Sequence, residues 1–350
     1  MQKRVTINDV ARRAMCSTAT VSLALRDSDR IAAATKLRVL AAADRLGYRP
    51  NLAASRLSSK KTQTVGIVLL PLDRDLGLQM LSGINQQLQS NGFTSIIDFS
   101  RMDYTREVEA VRRMSDEGVG GILINSARIA QEPTHLHELD EQGMPYVLID
   151  LAVEGIGGCY VGQKNRLAAT RLTRLLIEAG HRRLACVGQL FQRRTKSDRL
   201  AGFQDAVAES AGATEKVINL SDLSSGDEQR SEADAGQMLD ALREFLRPDD
   251  APTAFFAMDT RCLHWLMTGL TALGLRVPDD ISVVSFDAID DLRCLGLQIT
   301  TNVVPSYQMG LEAARMLVEQ IGGRQLSERE TVLEFEPEIV LGNSVGPPLQ

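Results

Sequence analysis

The sequence has few aromatic residues and no long apolar segment. Its 350 residues include one tryptophan, five tyrosines and nine phenylalanines, and its apolar runs fall short of the roughly 20 residues that cross a bilayer as a helix. The first ten residues, MQKRVTINDV, contain no apolar region of the kind that directs secretion. From these absences we expect a protein with no membrane association that acts in the cytoplasm.

Cysteine is also scarce, and no two cysteines have the C-x-x-C spacing of a metal or redox site. The five cysteines are Cys16, Cys159, Cys186, Cys262 and Cys294. An odd number of widely separated cysteines is typical of free thiols in a reducing compartment. We therefore predict neither disulfides nor a zinc site.

Negative charge is in excess overall but is unevenly distributed. The chain has 39 basic and 45 acidic residues, a net charge of −6. Residues 1–62 contain 13 basic and 4 acidic residues, a net charge of +9, and the remainder contains 26 and 41, a net charge of −15. A basic segment joined to an acidic remainder is typical of a phosphate-binding module fused to a separate domain. The charge pattern therefore favours a nucleic acid as the partner of the N-terminal segment.

Two short helical patterns begin this basic segment. The sequence TIND at 6–9 has the form of a capping box, in which a hydroxyl precedes a carboxylate by three residues. After a tight break, Ser17 is a good N-cap for a second helix over Thr18–Leu25. Three apolar side chains of this helix would face inward: Val21, Ala24 and Leu25. By spacing alone the pattern fits a helix-turn-helix or an ordinary helical bundle equally well, and the positive charge favours the DNA-binding motif.

A third helical pattern lies at Ala34–Leu46 and ends at Gly47. Its inward-facing residues are predicted to be Val39, Leu40, Ala43 and Leu46. Residues 51–57 form a helical pattern that is too short to be stable alone, and residues 58–62 are typical of a mobile linker. We predict a DNA-binding domain at 1–49 and a hinge helix with linker at 50–63.

From residue 64 onward, short apolar runs alternate with amphipathic helical patterns. One series of apolar runs lies at 65–70, 95–99, 121–124 and 146–149, and a second lies at 184–187, 217–220, 253–257 and 281–286. A helix at Ser306–Ile321 and one extended stretch at Val332–Leu341 complete the pattern. Such alternation predicts parallel sheets with helices on both faces.

The two series of runs predict two lobes. The fold class is therefore α/β, with an all-α helix-turn-helix head and a two-lobed core of doubly wound parallel sheets. We assign the core to 64–350, with a first lobe at about 64–162 plus 296–325 and a second at about 163–295 plus 326–345. Ligands of such sheets bind at the carboxyl ends of the strands, so two facing lobes form a cleft.

An enzyme is one alternative for such lobes, but the usual motifs are missing. The glycines at 118–121 precede an apolar run instead of following one, which is the wrong order for a dinucleotide loop, and no GxxxxGK[ST] loop occurs. His135 and His137 lie in a polar stretch without partners at metal-ligand spacing, so we expect both to be solvated. We predict no catalytic residue, no metal and no cofactor.

Several segments resemble a known family when taken together. The segments are VTINDVARRAMCSTATVSLAL, LGYRPNLAASRL, KKTQTVGIVL, EAGHRRLACVG, DRLAGFQDA, PTAFFAMD, LGLRVPDDISVVSFD and ITTNVVPSYQMGLEAARML. In their order and spacing they resemble the lactose/galactose repressor family of bacterial transcription regulators. The resemblance extends from Val5 to about Ser344. It implies a core like that of periplasmic binding proteins and a homodimer that binds a near-palindromic double-stranded DNA operator. The affinity for DNA would change when a small-molecule effector enters the cleft.

The resemblance also assigns DNA contacts by position. The second helix would lie in the major groove, and four hydroxyl-bearing residues would hold phosphates: Thr6, Ser17, Thr20 and Ser22. Three residues would face base edges: Thr18, Ala19 and Leu23. Many members of the family have arginine at the position of Leu23. Leucine cannot bond a guanine bidentately, but it can contact a thymine methyl group.

In the hinge, the resemblance assigns DNA contacts to Asn51, Ala54 and Leu57. Leu57 would insert between base steps in the minor groove, with Ala54 allowing close approach. Unstacking of the bases costs a few kcal/mol, which the contacts of a bent duplex offset. The alternative is that Leu57 packs on the core.

In the core, three polar residues match effector contacts of the family: Asp150, Arg199 and Asp287. Each lies at the end of an apolar run or at the start of a helix. Carboxylate and guanidinium groups bind hydroxyl-rich ligands through several hydrogen bonds. Capping of loops after strands is the alternative for the two aspartates. Departures from the family pattern, among them Gln163-Lys164 in place of Asp-Asn, leave the ligand's identity open.

The sequence thus predicts a ligand-responsive, sequence-specific DNA-binding regulator, most simply a homodimeric repressor controlled by a sugar or a related metabolite. The alternative is a solute-binding protein of the periplasmic type with no DNA role. That alternative would require a secretion signal and would have no use for the basic N-terminal segment.

Overall fold

The computed structural model describes residues 5–25, 28–48, 62–70, 75–127, 132–153, 156–189, 194–220, 232–246, 250–287, 296–327 and 329–349. The chain divides into two compact units, residues 1–62 and residues 63–350, which we call the head and the body. Most of the predicted hinge, including Asn51, Ala54 and Leu57, lies outside the described residues. In the part of the chain that is described, no helix is both long and apolar enough to cross a membrane.

Helices form the head: α1 (Ile7–Ala14), α2 (Thr18–Leu25) and α3 (Ala33–Leu46). They confirm the three predicted helical patterns. Their buried apolar residues are Val10, Ala11, Ala14, Val21, Ala24, Val39, Ala42 and Ala43. The prediction for Leu40 is wrong, because this residue is 49% exposed. The helical period instead places Val39, Ala42, Ala43 and the partly buried Leu46 on the inward face of α3.

The first lobe of the body contains a six-stranded parallel sheet. Its elements in chain order are β1 (Thr64–Leu69), α4 (Asp75–Ser90), β2 (Thr94–Phe99), α5 (Tyr104–Asp116), β3 (Ile122–Ile124), α6 (Thr134–Gln142), β4 (Tyr146–Ile149) and β5 (Cys159–Gln163). The strand order is β11-β5-β4-β3-β1-β2, with β11 (Val332–Phe335) coming from the end of the chain. Strands β1, β3 and β4 are buried along their whole length, as expected when both faces of a parallel sheet are covered.

The second lobe repeats this architecture. Its elements are α7 (Asn165–Glu178), β6 (Arg183–Gly188), α8 (Arg194–Ala208), β7 (Thr214–Asn219), α9 (Glu232–Phe245), β8 (Ala254–Ala257), α10 (Thr260–Ala272), β9 (Ser282–Ser285) and β10 (Thr300–Val303). The strand order is β12-β10-β9-β8-β6-β7, and β12 (Glu338–Val340) runs antiparallel to β10. The two sheets confirm the predicted fold class.

The chain passes between the lobes at three described crossovers. The first crossover (163–165) joins β5 to α7, the second (303–306) joins β10 to α11 (Ser306–Ile321), and the third (335–338) joins β11 to β12. Helix α11 returns to the first lobe and packs closely on α4. A Cβ atom on Gly310 would lie 2.2 Å from the carbonyl oxygen of Met80, so only glycine allows this approach.

The predicted lobe boundaries near the end of the chain differ from these crossovers. Strand β10 pairs with β9 and therefore belongs to the second lobe, although 296–325 was assigned to the first. Strand β11 pairs with β5 in the first lobe, although 326–345 was assigned to the second. The single extended stretch predicted at 332–341 is two strands in different sheets. The break falls at Pro337, which has no N–H to continue a ladder.

Candidate nucleic-acid interface and effector site

The turn between α1 and α2 is held by local hydrogen bonds. The carboxylate of Asp9 accepts from the main-chain nitrogen of Thr6 at 2.9 Å and from its hydroxyl at 2.7 Å, as expected for the predicted cap. Met15 ends α1 in the left-handed conformation, with φ 51° and ψ 50°. The hydroxyl of Ser17 then accepts from the main-chain nitrogen of Thr20 at 3.1 Å and caps α2. These contacts end α1 and begin α2 within a short turn, which is the arrangement of a helix-turn-helix.

The residues of α2 divide by exposure as the motif requires. Val21 is fully buried in the head core. The residues predicted to contact DNA are exposed (Thr6, Ser17, Thr18 and Ala19) or partly exposed (Thr20, Ser22 and Leu23). The hydroxyls of Ser17 and Thr20 lie 2.9 Å apart and share one hydrogen bond, so the hydroxyl that accepts in this pair keeps its own proton for a phosphate oxygen. Their contacts with DNA stay predictions.

In the body, the structure brings together Arg199 and Asp287. Arg199 lies on α8, where it is 7% exposed and faces the carboxyl ends of β8 and β9. Its Nη1 atom donates to the carbonyl oxygen of Met258 at 2.7 Å and lies 3.8 Å from Oδ2 of Asp287. The guanidinium also lies over the ring of Phe286, 3.6 Å from its centroid. This stacking and pairing hold the charge in one orientation.

Asp150 lies in the other lobe, at the end of β4. No described hydrogen bond or ion pair joins its carboxylate to Arg199 or Asp287. Its backbone adopts the left-handed conformation, with φ 68°. The carbonyl oxygen of Asp150 accepts from the hydroxyl of Tyr160 at 3.2 Å, and its N–H donates to the carbonyl oxygen of Val161 at 2.9 Å. These two bonds to β5 fix the main chain from which the carboxylate projects.

Sequence reasoning missed a second, partly buried ion pair beside Arg199. Lys196 precedes Arg199 by one helical turn and pairs with Asp259, and the two side chains are 12% and 13% exposed. Asp259 also accepts from the main-chain nitrogen of Cys262 at 2.8 Å and so caps α10. The i, i+3 spacing places Lys196 and Arg199 on one face of α8, but Asp259 is 63 residues away in the sequence, so no local pattern predicts this pair.

The prediction that His135 is solvated is wrong. His135 and Glu107 are both fully buried, with Nε2 of the histidine 3.0 Å from Oε1 of the glutamate. Glu107 also accepts from the hydroxyl of Ser126 at 2.8 Å and from the main-chain nitrogen of Ala127. These contacts hold the segment that follows β3, at the same sheet edge as Asp150. His137 is exposed, as predicted.

Two family models match the chain. Residues 6–51 match the model described as bacterial regulatory proteins, lacI family, and residues 173–345 match the model of a periplasmic binding protein-like domain. The first match covers the helix-turn-helix, and the second includes Arg199, Asp259 and Asp287.

Relatives match over nearly the whole length. The chain is 30% identical to catabolite control protein A of Priestia megaterium over 317 residues, which cover 90% of this chain and 92% of that protein. The chain belongs to the lacI family of bacterial regulatory proteins. It is also 28% identical to the HTH-type transcriptional repressor PurR of Photobacterium profundum over 340 residues, 97% of this chain and 98% of that one.

Solved structures of the lacI family share the fold. The lac repressor dimer bound to operator and the anti-inducer ONPF matches with a TM-score of 0.81 and 21% identity, over 98% of this chain and 100% of that chain. A complex of the transcriptional regulator CelR with cellobiose matches with a TM-score of 0.67 and 25% identity, over 97% and 100%.

Membership of the lacI family decides between the alternatives left open by the sequence. The protein is a DNA-binding transcriptional regulator, and a solute-binding protein without a DNA role is not favoured, because residues 6–51 match the regulatory family model. The curated relatives reported above are regulators of transcription, a class of protein that is not enzymatic.

Proposed function

We propose that the protein is a cytoplasmic, homodimeric repressor that binds a near-palindromic operator and changes its affinity when a small molecule binds the body. The observation that supports this most directly is the exposed face of α2 on a helix-turn-helix within a segment of net charge +9. Two such heads in a symmetric dimer meet two half-sites in successive major grooves, about 10 base pairs apart. A near-palindromic operator follows from that symmetry.

We assign DNA contacts by the exposed positions of the head. Thr6, Ser17, Thr20 and Ser22 contact phosphates, and these contacts fix the position of the head without distinguishing sequences. On DNA, Thr6 and the donor of the Ser17–Thr20 pair exchange their present acceptors for phosphate oxygens. Thr18, Ala19 and Leu23 face base edges. Because Leu23 is apolar and partly exposed, it favours a thymine methyl group over a guanine at its base pair. The predicted hinge contacts of Asn51, Ala54 and Leu57 complete the set.

The proposed effector site contains Arg199 and Asp287 in the second lobe and Asp150 in the first. A carboxylate on one lobe and a stacked guanidinium on the other can both hydrogen-bond a ligand that has several hydroxyl or amide groups. The solved CelR complex contains cellobiose, which supports a sugar or a related metabolite as the class of effector. Binding that favours one arrangement of the lobes would then alter DNA affinity.

The test is selection from a random-sequence duplex library by the full-length protein. We expect recovery of a near-palindromic site, and we expect affinity for it to fall about 1,000-fold or more between 50 mM and 200 mM salt, because each phosphate contact releases counterions. Recovery of no preferred duplex, or an affinity independent of salt, would contradict the proposal.

A further inference from the structure

Buried amide side chains join two of the crossovers. Nδ2 of Asn302, on β10 just before the second crossover, donates to Oε1 of Gln163 in the first crossover at 3.2 Å. Both residues are 1% exposed. Because Gln163 ends a strand of the first sheet and Asn302 lies in the second sheet, this hydrogen bond connects the two lobes.

The same amides connect to the candidate effector site. Nδ2 of Asn165 donates to the carbonyl oxygen of Gln163 at 3.2 Å, and Oδ1 of Asn165 accepts from Nε of Arg199 at 3.0 Å. With the Arg199–Asp287 pair, these bonds form a continuous polar path from Asp287 to Asn302. Every residue of the path is at most 7% exposed, so its hydrogen bonds are protected from competition by bulk water.

The third crossover is tied to the first by exposed charges. Lys164 and Arg171 both pair with Glu336, and Nη1 of Arg171 donates to the carbonyl oxygen of Pro337 at 3.0 Å. A displacement of the first crossover is therefore resisted at the second crossover by Asn302 and at the third by Glu336. The buried contact dominates, because exposed ion pairs are weakened by water and salt.

The amide pair between the lobes is only half formed. Nε2 of Gln163 and Oδ1 of Asn302 are buried and have no hydrogen-bond partner among the described residues. Nε2 of Gln163 is a donor and Oδ1 of Asn302 is an acceptor. If both amide groups are rotated by 180°, so that their oxygen and nitrogen atoms change places, the pair again forms one hydrogen bond and again leaves one donor and one acceptor without a partner. A buried polar atom without a partner is unfavourable, so a small movement of one lobe that brought these two atoms within hydrogen-bond distance would be favoured. Such a movement would give the pair a second arrangement, with two hydrogen bonds in place of one.

We propose that Asn165, Gln163 and Asn302 are positioning residues that communicate changes at the Arg199–Asp287 site to the crossovers by shifting this amide pair between its two arrangements. The inference rests on the proposed function of that site. A ligand group that draws the guanidinium of Arg199 toward itself displaces Asn165 and, through it, the main chain of Gln163. An element with two arrangements, whose equilibrium both sites bias, is a physical basis for coupling between distant sites.

The test is hydrogen–deuterium exchange of the full-length protein without DNA or any added ligand. Arg199→Lys keeps the charge but cannot contact both Asn165 and Met258 as the guanidinium does. We expect this change to raise the exchange rates of main-chain amides at 302–306 about fivefold or more. In the Q163M/N302L background, where both interlobe amides are replaced by apolar side chains of similar shape, the same change should alter those rates by less than about twofold.

Two further backgrounds make the test specific. The exchanged pair Q163N/N302Q keeps two amides and the same number of methylene groups, so the response of residues 302–306 to Arg199→Lys should return. The matched control N125L also removes a buried amide, but the hydrogen bond of Asn125 goes to the carbonyl oxygen of Ile149 within the first lobe, at 3.0 Å. In that background the response should persist.

Unchanged exchange after Arg199→Lys in the wild-type background, or an equal increase in the Q163M/N302L background, overturns the inference. So does a response that fails to return in Q163N/N302Q. None of these outcomes depends on DNA. Selection of a preferred duplex by the wild-type chain tests the proposed function separately, so the two failures are distinguishable.

Discussion

The head and the body use charge in opposite ways. The head has a net charge of +9, and the described basic side chains of α1 are exposed, with Arg12 82% accessible. The body has a net charge of −15, yet ionisable side chains near its strand ends lie largely buried, each beside a partner: Glu107 with His135, Lys196 with Asp259, and Arg199 with Asp287. Exposed charge attracts a polyanion over a distance and is screened by salt, whereas buried pairs act only at contact and depend on geometry.

The exposed charges of the head are therefore suited to attracting DNA, whereas the buried pairs of the body are suited to distinguishing one ligand from another. Changes to exposed residues of the head should alter binding with little effect on stability. Changes to the buried charges of the body should alter stability or ligand response and leave DNA sequence preference intact.

The largest expected effect is on stability, at Glu107. Glu107→Ala removes the partner of buried His135 and the acceptor for Ser126 and Ala127. Each buried donor left without an acceptor costs about 1–3 kcal/mol, so urea unfolding should show a loss of about 3 kcal/mol or more. The matched control is Glu138→Ala, because Glu138 pairs with Arg112 at an exposed position. It should change stability little, and equal losses from both variants would contradict the contrast.

The next effect is on DNA binding, at Leu57 in the predicted hinge. Leu57→Ala should lower affinity for the selected duplex by roughly 10- to 100-fold, because an apolar wedge favours bent, specific complexes. Affinity for random duplex should change by less than about threefold, since phosphate contacts dominate there. Leu37→Ala is the control, as Leu37 is an exposed leucine of the head with no assigned role. Equal losses on both duplexes would argue against a wedge.

A smaller effect concerns pH and His181 in the body. Its Nδ1 lies 2.8 Å from the Thr253 hydroxyl, and its Nε2 lies 2.9 Å from the carbonyl oxygen of Gly346. Burial lowers the pKa of His181, and the Gly346 contact only partly opposes that shift. The fold therefore favours the neutral ring, whereas the unfolded chain takes up a proton near pH 6.5.

The sign of the pH effect follows from that difference. The contribution of neutral His181 to the free energy of unfolding is fully present above about pH 6.5. It is lost as the pH falls below that value, by up to about 1.4 kcal/mol per pH unit. Urea unfolding between pH 5 and 8 should show this slope in the wild type and a smaller one in His181→Asn. The control His137→Asn changes an exposed histidine. A slope that survives His181→Asn undiminished would exclude this residue as its source.

Local pattern predicted much of the fold. Helical spacing and caps predicted α1, α2 and α3, and apolar runs predicted β1–β4 and β6–β9, because each of these features depends on neighbours in sequence. The positions of β10 and β11 could not be predicted in this way. Which sheet an edge strand joins depends on which edge is vacant in the folded body, and no local period encodes that.

The candidate site was predictable in part for the same reason. Asp287 could be singled out because it follows an apolar run, and Arg199 because it lies at the start of a helical pattern, at a position that the resemblance assigns to the effector. The burial of His135 depends on Glu107, 28 residues away, and the contact between Gln163 and Asn302 spans 139 residues. Leu40 was misassigned because an apolar side chain on a short helix can remain exposed when alanines occupy the inward face.

The most direct test of the account is the response of DNA binding to a ligand in wild-type protein and in Arg199→Ala. A thermal-shift screen of metabolites identifies a compound that raises the melting temperature of the wild type, and affinity for the selected duplex is then measured with and without it. We expect the compound to change the affinity of the wild type for this duplex about fivefold or more. Arg199→Ala should still prefer the selected duplex over random duplex and should show no response to the compound. A full response in Arg199→Ala would contradict the account.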